Sequence, residues 1–299
     1  MGVLTMTPPD LSSPDSGFRA FDEGLRQRGY IEGQNLKVER RNAGGQPDRL
    51  PAVAKELVDL RPDVIVASAP QPNRAVKDAT STIPIVMVGV ADPVQAGLVD
   101  SLAHPGGNLT GVSTVVPGGI MAKSLELLHQ IAPKATRIGM LINPNNAIHR
   151  ILVPQEVPDA AHRLGLKVHV VEARTTDEVA PAIDAAVGKR VEALFIQGDA
   201  VWNNPPELVP QVVARTGLPA IYFLRAQVRA GGLMSFGPDF AAVYGRAASY
   251  VDRILKGAKP GDLAVEQPTK IDVVINLKTA KALGLAIPQS LQMQAELIE

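Results

Sequence analysis

The chain has 299 residues, and its 30 Lys and Arg are balanced by 30 Asp and Glu, so the formal net charge is zero. There is no basic stripe, which argues against a nucleic-acid binder that displaces counterions with clustered Lys and Arg, and no apolar run reaches the roughly 18 residues of a membrane span. The absence of cysteine excludes disulfides, thiolate nucleophiles and cysteine zinc sites, while the length and a 45% hydrophobic content suit two packed lobes.

Residues 3–6 read as a first strand. Phe18, Phe21 and Leu25, followed by a stop at Gly29, predict an amphipathic helix. A strand at 36–40, a helix at 50–60 ended by Arg61-Pro62, and a strand at 64–67 follow. The last is a continuous β-branched run, the mark of a strand buried on both faces. Next come a short helix at 73–79, a strand at 83–88, a helix at 94–102 with Pro93 at its first position, and a strand at 109–112. The pattern then restarts. A helix is expected at 120–131, a strand at 137–142, a helix at 157–164, a strand at 168–172 and a helix at 176–187. Strands at 193–197, 218–223 and 232–236 alternate with helix or turn at 205–216 and 224–230. A helix at 241–255 precedes a tail with a strand at 273–275 and a helix at 277–283.

This alternation predicts an α/β fold of two Rossmann-like lobes with parallel sheets. The expected N-terminal lobe takes 1–113 and 238–261; the C-terminal lobe takes 114–237 and 262–299. No Gly/Ser linker separates the sets. Three short crossings, near 111–117, 236–238 and 261–265, would form a hinge, and the ligand cleft is expected between the lobes.

Parallel sheets bind ligands beyond the carboxyl ends of their strands, so the candidate contacts are the residues that follow each strand. In the first set these are Thr7, then Ser68, Ala69 and Pro70, then Ala91 and Asp92. In the second set they are Asn143 and Asn145, then Asp199 and Trp202, then Tyr222 and Phe223, with Phe236 nearby. Hydroxyls and helix-entry amides suit a carboxylate; Asp92 and Asp199 suit an ammonium. Trp202, Tyr222, Phe223 and Phe236 would wall an aromatic ligand. Plainer readings stand beside these. Asp92 before Pro93 is a helix N-cap, the 143–146 segment is a turn and cap, and Tyr222 and Phe223 are core. Trp202 is a plug if it is not a wall.

No dinucleotide or phosphate-loop glycine motif is present, and no nucleophile elbow. His104, His129, His149, His162 and His169 share no metal-ligand spacing and read as packing or surface residues. Binding is therefore the expected role rather than catalysis, with no cofactor and no metal. A sensor or an enzyme on the same frame is the alternative.

Several segments carry a resemblance. They are Gly29-Tyr-Ile-Glu-Gly-Gln-Asn35, Ile83-Pro-Ile-Val86, Asp92-Pro93, Pro105-Gly-Gly-Asn-Leu-Thr-Gly-Val-Ser113, Leu125-Glu-Leu-Leu128 and Ile142-Asn-Pro-Asn-Asn146. Later ones are Ala230-Gly-Gly-Leu-Met-Ser235, Arg253-Ile-Leu-Lys-Gly257, Gln267-Pro-Thr-Lys270 and Ile275-Asn-Leu-Lys-Thr-Ala-Lys-Ala-Leu-Gly-Leu285. Together, and in this order, they resemble the ABC-transporter substrate-binding proteins of the TrpX-like type. That resemblance implies the type I periplasmic-binding fold, a monomer working with an ABC permease, and an aromatic amino acid or small carboxylate as ligand. It also implies a periplasmic or lipid-anchored location. No leader precedes the first strand, so a trimmed signal or a misplaced start is expected. One departure bears on the ligand. Relatives commonly carry a Gly- and Thr-rich loop after the third strand, where this chain has Ser68-Ala-Pro-Gln-Pro72. Its two prolines remove backbone donors and weaken the case for an anion there.

Overall fold

The computed structural model describes every residue except Asp10, 12–15, 115–118 and Thr269. In chain order the elements are β1 (Gly2–Thr5), α1 (Gly17–Arg26), β2 (Glu39–Asn42), α2 (Leu50–Asp59), β3 (Ile65–Ser68), α3 (Pro70–Ala79), β4 (Ile85–Val90) and β5 (Leu109–Ser113). Then come α4 (Ile120–Ile131), β6 (Arg137–Ile142), α5 (Ala147–Leu164), β7 (Lys167–Glu172), α6 (Val179–Gly188), β8 (Ala193–Ile196), α7 (Leu208–Ala214), β9 (Ala220–Tyr222), α8 (Arg225–Arg229) and β10 (Met234–Pro238). The chain ends with α9 (Phe240–Leu255), β11 (Ile271–Asn276), α10 (Leu277–Ala282), α11 (Gln289–Gln292) and β12 (Ala295–Ile298).

Two compact units result, Met1–Val115 with Asp239–Lys270, and Val116–Pro238 with Ile271–Glu299. The first holds a parallel sheet in the order β2-β1-β3-β4-β5. The second repeats that order as β7-β6-β8-β9-β10, adds β11 antiparallel to β10, and pairs β12 with β11. Strands β1, β5 and β8 are buried at every residue, as sheets covered by helices on both faces require.

In the first unit, Val3, Val66, Val86, Val88 and Val112 pack with Phe21, Leu25, Val243, Ala247 and Val251. The last three come from α9, which lies on α1, β4 and β5. Small residues allow this docking. A Cβ added to Gly24 of α1 would stand 2.9 Å from the Ala248 Cβ and 3.1 Å from the Gly245 carbonyl of α9. The second core joins Leu125, Leu128, Ile138, Met140, Val157, Phe195, Met234 and Ile275.

The chain departs from the sequence expectations in several places. Residues 262–270, expected with the second lobe, belong to the first unit. Val265 N–H donates to the Leu102 carbonyl at 2.7 Å, Glu266 N–H to that of Gly111 at 3.0 Å, and Ser113 N–H to that of Glu266 at 2.8 Å. The crossing expected at 111–117 falls partly on 115–118, outside the described residues. The helix expected at 94–102 is a single turn. Gly97, at φ +65°, reverses the chain, and Leu98 N–H closes on the Pro93 carbonyl at 2.8 Å. Arg74 of α3 donates to the Ala96 carbonyl, and Lys77 to those of Gly97 and Leu98. The helix expected at 157–164 starts ten residues earlier. Asn146 caps it by accepting from Ile148 N–H at 3.0 Å, and it continues through Pro154 and Pro158 to Gly165 in the left-handed conformation. Among the described residues no helix is long and apolar enough to cross a membrane.

Candidate functional site

Strand order reverses between β1 and β3 in the first unit and between β6 and β8 in the second. Such switch points, at the carboxyl ends of the strands, are where open α/β sheets take ligands. The candidate residues sort themselves around these two places.

At the first switch point stand Thr7, Ser68, Ala69 and Pro70, all half-buried. Thr5 Oγ1 donates to the Thr7 carbonyl at 2.7 Å, fixing the chain as it leaves β1. Ala69 caps α3 at φ +77°, ψ 163°, a backbone region that is essentially glycine-only and costs about 1–3 kcal/mol to hold. Asn73, fully buried, pins it: Nδ2 donates to the carbonyls of Ala67 and Ala69, each at 2.8 Å. Pro70 and Pro72 occupy the first turn of α3 and supply no N–H. Ser68 Oγ shares a short hydrogen bond with the Tyr244 hydroxyl of α9. Burial pushes the Tyr244 phenol up to about 12. Tyr244 is absent from the sequence-based candidates. It lies 176 residues from Ser68, and its helix reads simply as amphipathic. Ala91 and Asp92 follow β4. Asp92 takes the plainer role, with Oδ1 accepting from Gln95 N–H at 2.9 Å and Oδ2 from the Gln95 amide at 2.8 Å.

At the second switch point Asn143 and Asp199 meet. Asn143 Nδ2 donates to Asp199 Oδ1 at 3.1 Å, Asn146 Nδ2 to Asp199 Oδ2 at 2.8 Å, and Val201 N–H to Asp199 Oδ1 at 2.9 Å. All four residues are buried. Asn145 is exposed, and its N–H donates to Asn143 Oδ1 at 2.9 Å. His149, which composition alone left among the packing residues, joins this network. Its Nδ1 accepts from Asn143 N–H at 3.0 Å, so Nε2, 3.0 Å from the Gly198 carbonyl, carries the proton and donates. That arrangement is the neutral imidazole. Burial holds its pKa below the ordinary value, against the opposing pull of Asp199.

This gives a signed pH dependence. Unfolding lets His149 take up a proton below its unfolded pKa of about 6.5, so stability is full above that pH and falls below it. The expected slope is up to about 1.4 kcal/mol per pH unit until the depressed folded pKa is reached. Urea unfolding at pH 7.5, 6.5 and 5.5 checks it. The parent should lose this increment and His149→Gln should not; equal slopes would show that His149 does not titrate between folded and unfolded chains.

The expected aromatic wall does not hold together as a surface. Trp202 is 0% exposed, and its indole N–H donates to the Gln197 carbonyl at 3.0 Å. It is the plug, not the wall. Tyr222 is 1% exposed with its phenol pKa raised by burial, and Phe236 belongs to the second core. Phe223 alone stays half-exposed. Its ring rests on Gly198, where an added Cβ would come within 2.3 Å of the ring. The misassignment has a simple origin: in strands buried on both faces, no polar alternation marks which side chain points out.

Residues 10–298 match the family described as ABC transporter substrate binding protein. A curated relative, the tyrosine-binding protein of Clostridioides difficile, is 31% identical over 273 residues, covering 91% of this chain and 78% of its own. A solved ABC domain from Streptococcus pneumonia in complex with L-Trp is 28% identical, with TM-score 0.89, covering 99% of this chain and 98% of that one. At the level of fold alone the chain is similar to an ABC transporter solute-binding protein from Agrobacterium vitis, 12% identical, TM-score 0.62, covering 94% and 97%.

Proposed function

The chain belongs to the ABC transporter substrate-binding proteins, and from that premise we propose that it captures an aromatic amino acid outside the cytoplasm and delivers it unchanged to an ABC permease. The observation that carries the ligand class is the pairing of a tyrosine-binding relative with an L-Trp-bound one, each matched over at least nine-tenths of this chain. The site chemistry supports it. Thr7, Ser68, Ala69 and Pro70 at one switch point, with Ala91 after the neighbouring β4, offer hydroxyls and small surfaces. Asn145 at the other offers an amide on a loop held by Asn143 and Asp199, and Phe223, after β9, rests a half-exposed ring on Gly198 beside it. A few placed polar groups on an otherwise apolar lining are the usual form of a small-molecule site. Capture by closure of the two units, as a monomer and without nucleic acid, completes the reading.

Titration calorimetry of the purified protein with L-Tyr, L-Trp, L-Phe and L-Ala tests this. One-to-one binding of the aromatic amino acids, with none of L-Ala, is the expected result. X-ray scattering should show a smaller radius of gyration on adding the bound ligand. Silence toward all three aromatic amino acids, with another solute retained through purification by native mass spectrometry, would overturn it.

A further inference from the structure

We infer that the first unit receives the ring of the ligand, with Phe240 as its wall and the Ser68–Tyr244 hydroxyl pair reading the ring's polar tip. This rests on the aromatic-amino-acid reading above. Four observations within the first unit converge on it. Phe240, half-buried, opens α9, and its ring centroid lies 6.3 Å from that of Tyr244. Tyr244 is in turn held edge-on by Phe18 at 4.8 Å and seated against Gly17, where an added Cβ would come within 2.4 Å of the tyrosine ring. A methyl at Gly89, near the end of β4, would stand 3.7 Å from Phe240 Cε1 and 3.9 Å from Ala69 N, so these three share one surface at the carboxyl end of the sheet. Ala69 keeps its strained backbone there, pinned by Asn73.

The same place is poorly furnished for a carboxylate. Pro70 and Pro72 leave the first turn of α3 short of N–H groups. The helix's two cations, Arg74 and Lys77, are turned to the carbonyls of Ala96, Gly97 and Leu98. The polar group that stands beside the Phe240–Tyr244 ring pair is the neutral hydroxyl pair of Ser68 and Tyr244. A pair of hydroxyls has two protons and uses one to bridge itself. Among the described residues, no further acceptor takes the second proton of Ser68 and Tyr244. A phenol oxygen can accept that proton, and an indole N–H can donate to the pair's remaining lone pairs; a phenyl ring can do neither. The preference for a polar-tipped ring is set by one neutral hydrogen bond. It is modest because the two hydroxyls still satisfy each other when phenylalanine binds.

Calorimetry on parent, Tyr244→Phe, Ser68→Ala and Phe240→Ala tests the inference, with circular dichroism confirming the fold of each. The parent should bind L-Tyr up to about tenfold more tightly than L-Phe. Tyr244→Phe keeps the ring on Gly17 and Phe18 while removing the hydroxyl. In it, and in Ser68→Ala, the L-Tyr to L-Phe ratio should fall to about one, with L-Phe affinity nearly kept. Phe240→Ala should weaken all three aromatic amino acids by roughly ten- to a hundredfold. A parent that binds these ligands, with an unchanged ratio in both hydroxyl variants or parental affinity in Phe240→Ala, overturns the inference and leaves the functional reading intact. A parent that binds none of them ends both.

Discussion

Replacing Trp202 with alanine is expected to destabilise the second unit by about 4 kcal/mol, in the middle of what emptying a large buried aromatic site costs. The side chain has no exposed surface, so its removal leaves a cavity rather than a widened opening. It also strands the Gln197 carbonyl, which accepts the indole N–H at 3.0 Å, inside the segment that links β8 to α7. Trp202→Phe, which returns most of the ring but not the donor, should cost about half as much. Against a total stability of about 5–15 kcal/mol, a loss of that size is a large fraction of the whole. Far-UV circular dichroism in urea is the right readout, because the variant loses the chain's single tryptophan. In whatever fraction stays folded, ligand affinity should stay within a few-fold of the parent. Weakened binding at unaltered stability would instead return Trp202 to the site wall.

That contrast marks where the sequence is readable. Strands such as Ile65–Ser68 are legible because burial on two faces demands an unbroken apolar run. The restart after residue 119 is legible because each unit repeats the same strand order. The loops at the switch points follow from the strands alone. Which side chains those loops turn outward does not, because Trp202 and Tyr222 face inward for reasons of three-dimensional packing. The turn after Asp92 was hidden in the same way. Asp92 and Pro93 form a sound helix start, yet the carbonyls that would continue the helix are taken by Arg74 and Lys77 from another element. The helix expected at 157–164 begins after Pro154, yet α5 starts at Ala147 and runs through that proline, with Ile148 buried as well as Val157, Ala160 and Ala161. Ser68 and Tyr244 are separated by 176 residues, and no local pattern joins them.

Asp199→Ala should cost about 3 kcal/mol or more, since it orphans three buried donors at about 1–3 kcal/mol each. Those donors are the side-chain amides of Asn143 and Asn146 and the N–H of Val201. Neither asparagine can turn its amide to recover the loss. Asn143 Oδ1 is held by Asn145 N–H at 2.9 Å, and Asn146 Oδ1 by Ile148 N–H at 3.0 Å, where it caps α5. The constraint makes the isosteric variant informative. Asp199→Asn keeps one oxygen for Asn143 and Val201 but sets an NH2 against the Asn146 NH2, so it should lose one bond and cost about 1–3 kcal/mol. The expected order of urea midpoints is therefore parent, then Asn, then Ala, with native-state hydrogen exchange showing earlier opening at 143–149 and 197–203 in both variants. An ammonium-binding role for Asp199 alone predicts a different result: parental stability in both variants, with the loss confined to affinity. Parental midpoints would show that the carboxylate is dispensable to these loops. Graded destabilisation would show that it is a positioning group, holding together the ends of β6 and β8, from which the second unit presents Asn145 and the Gly198 seat of the Phe223 ring.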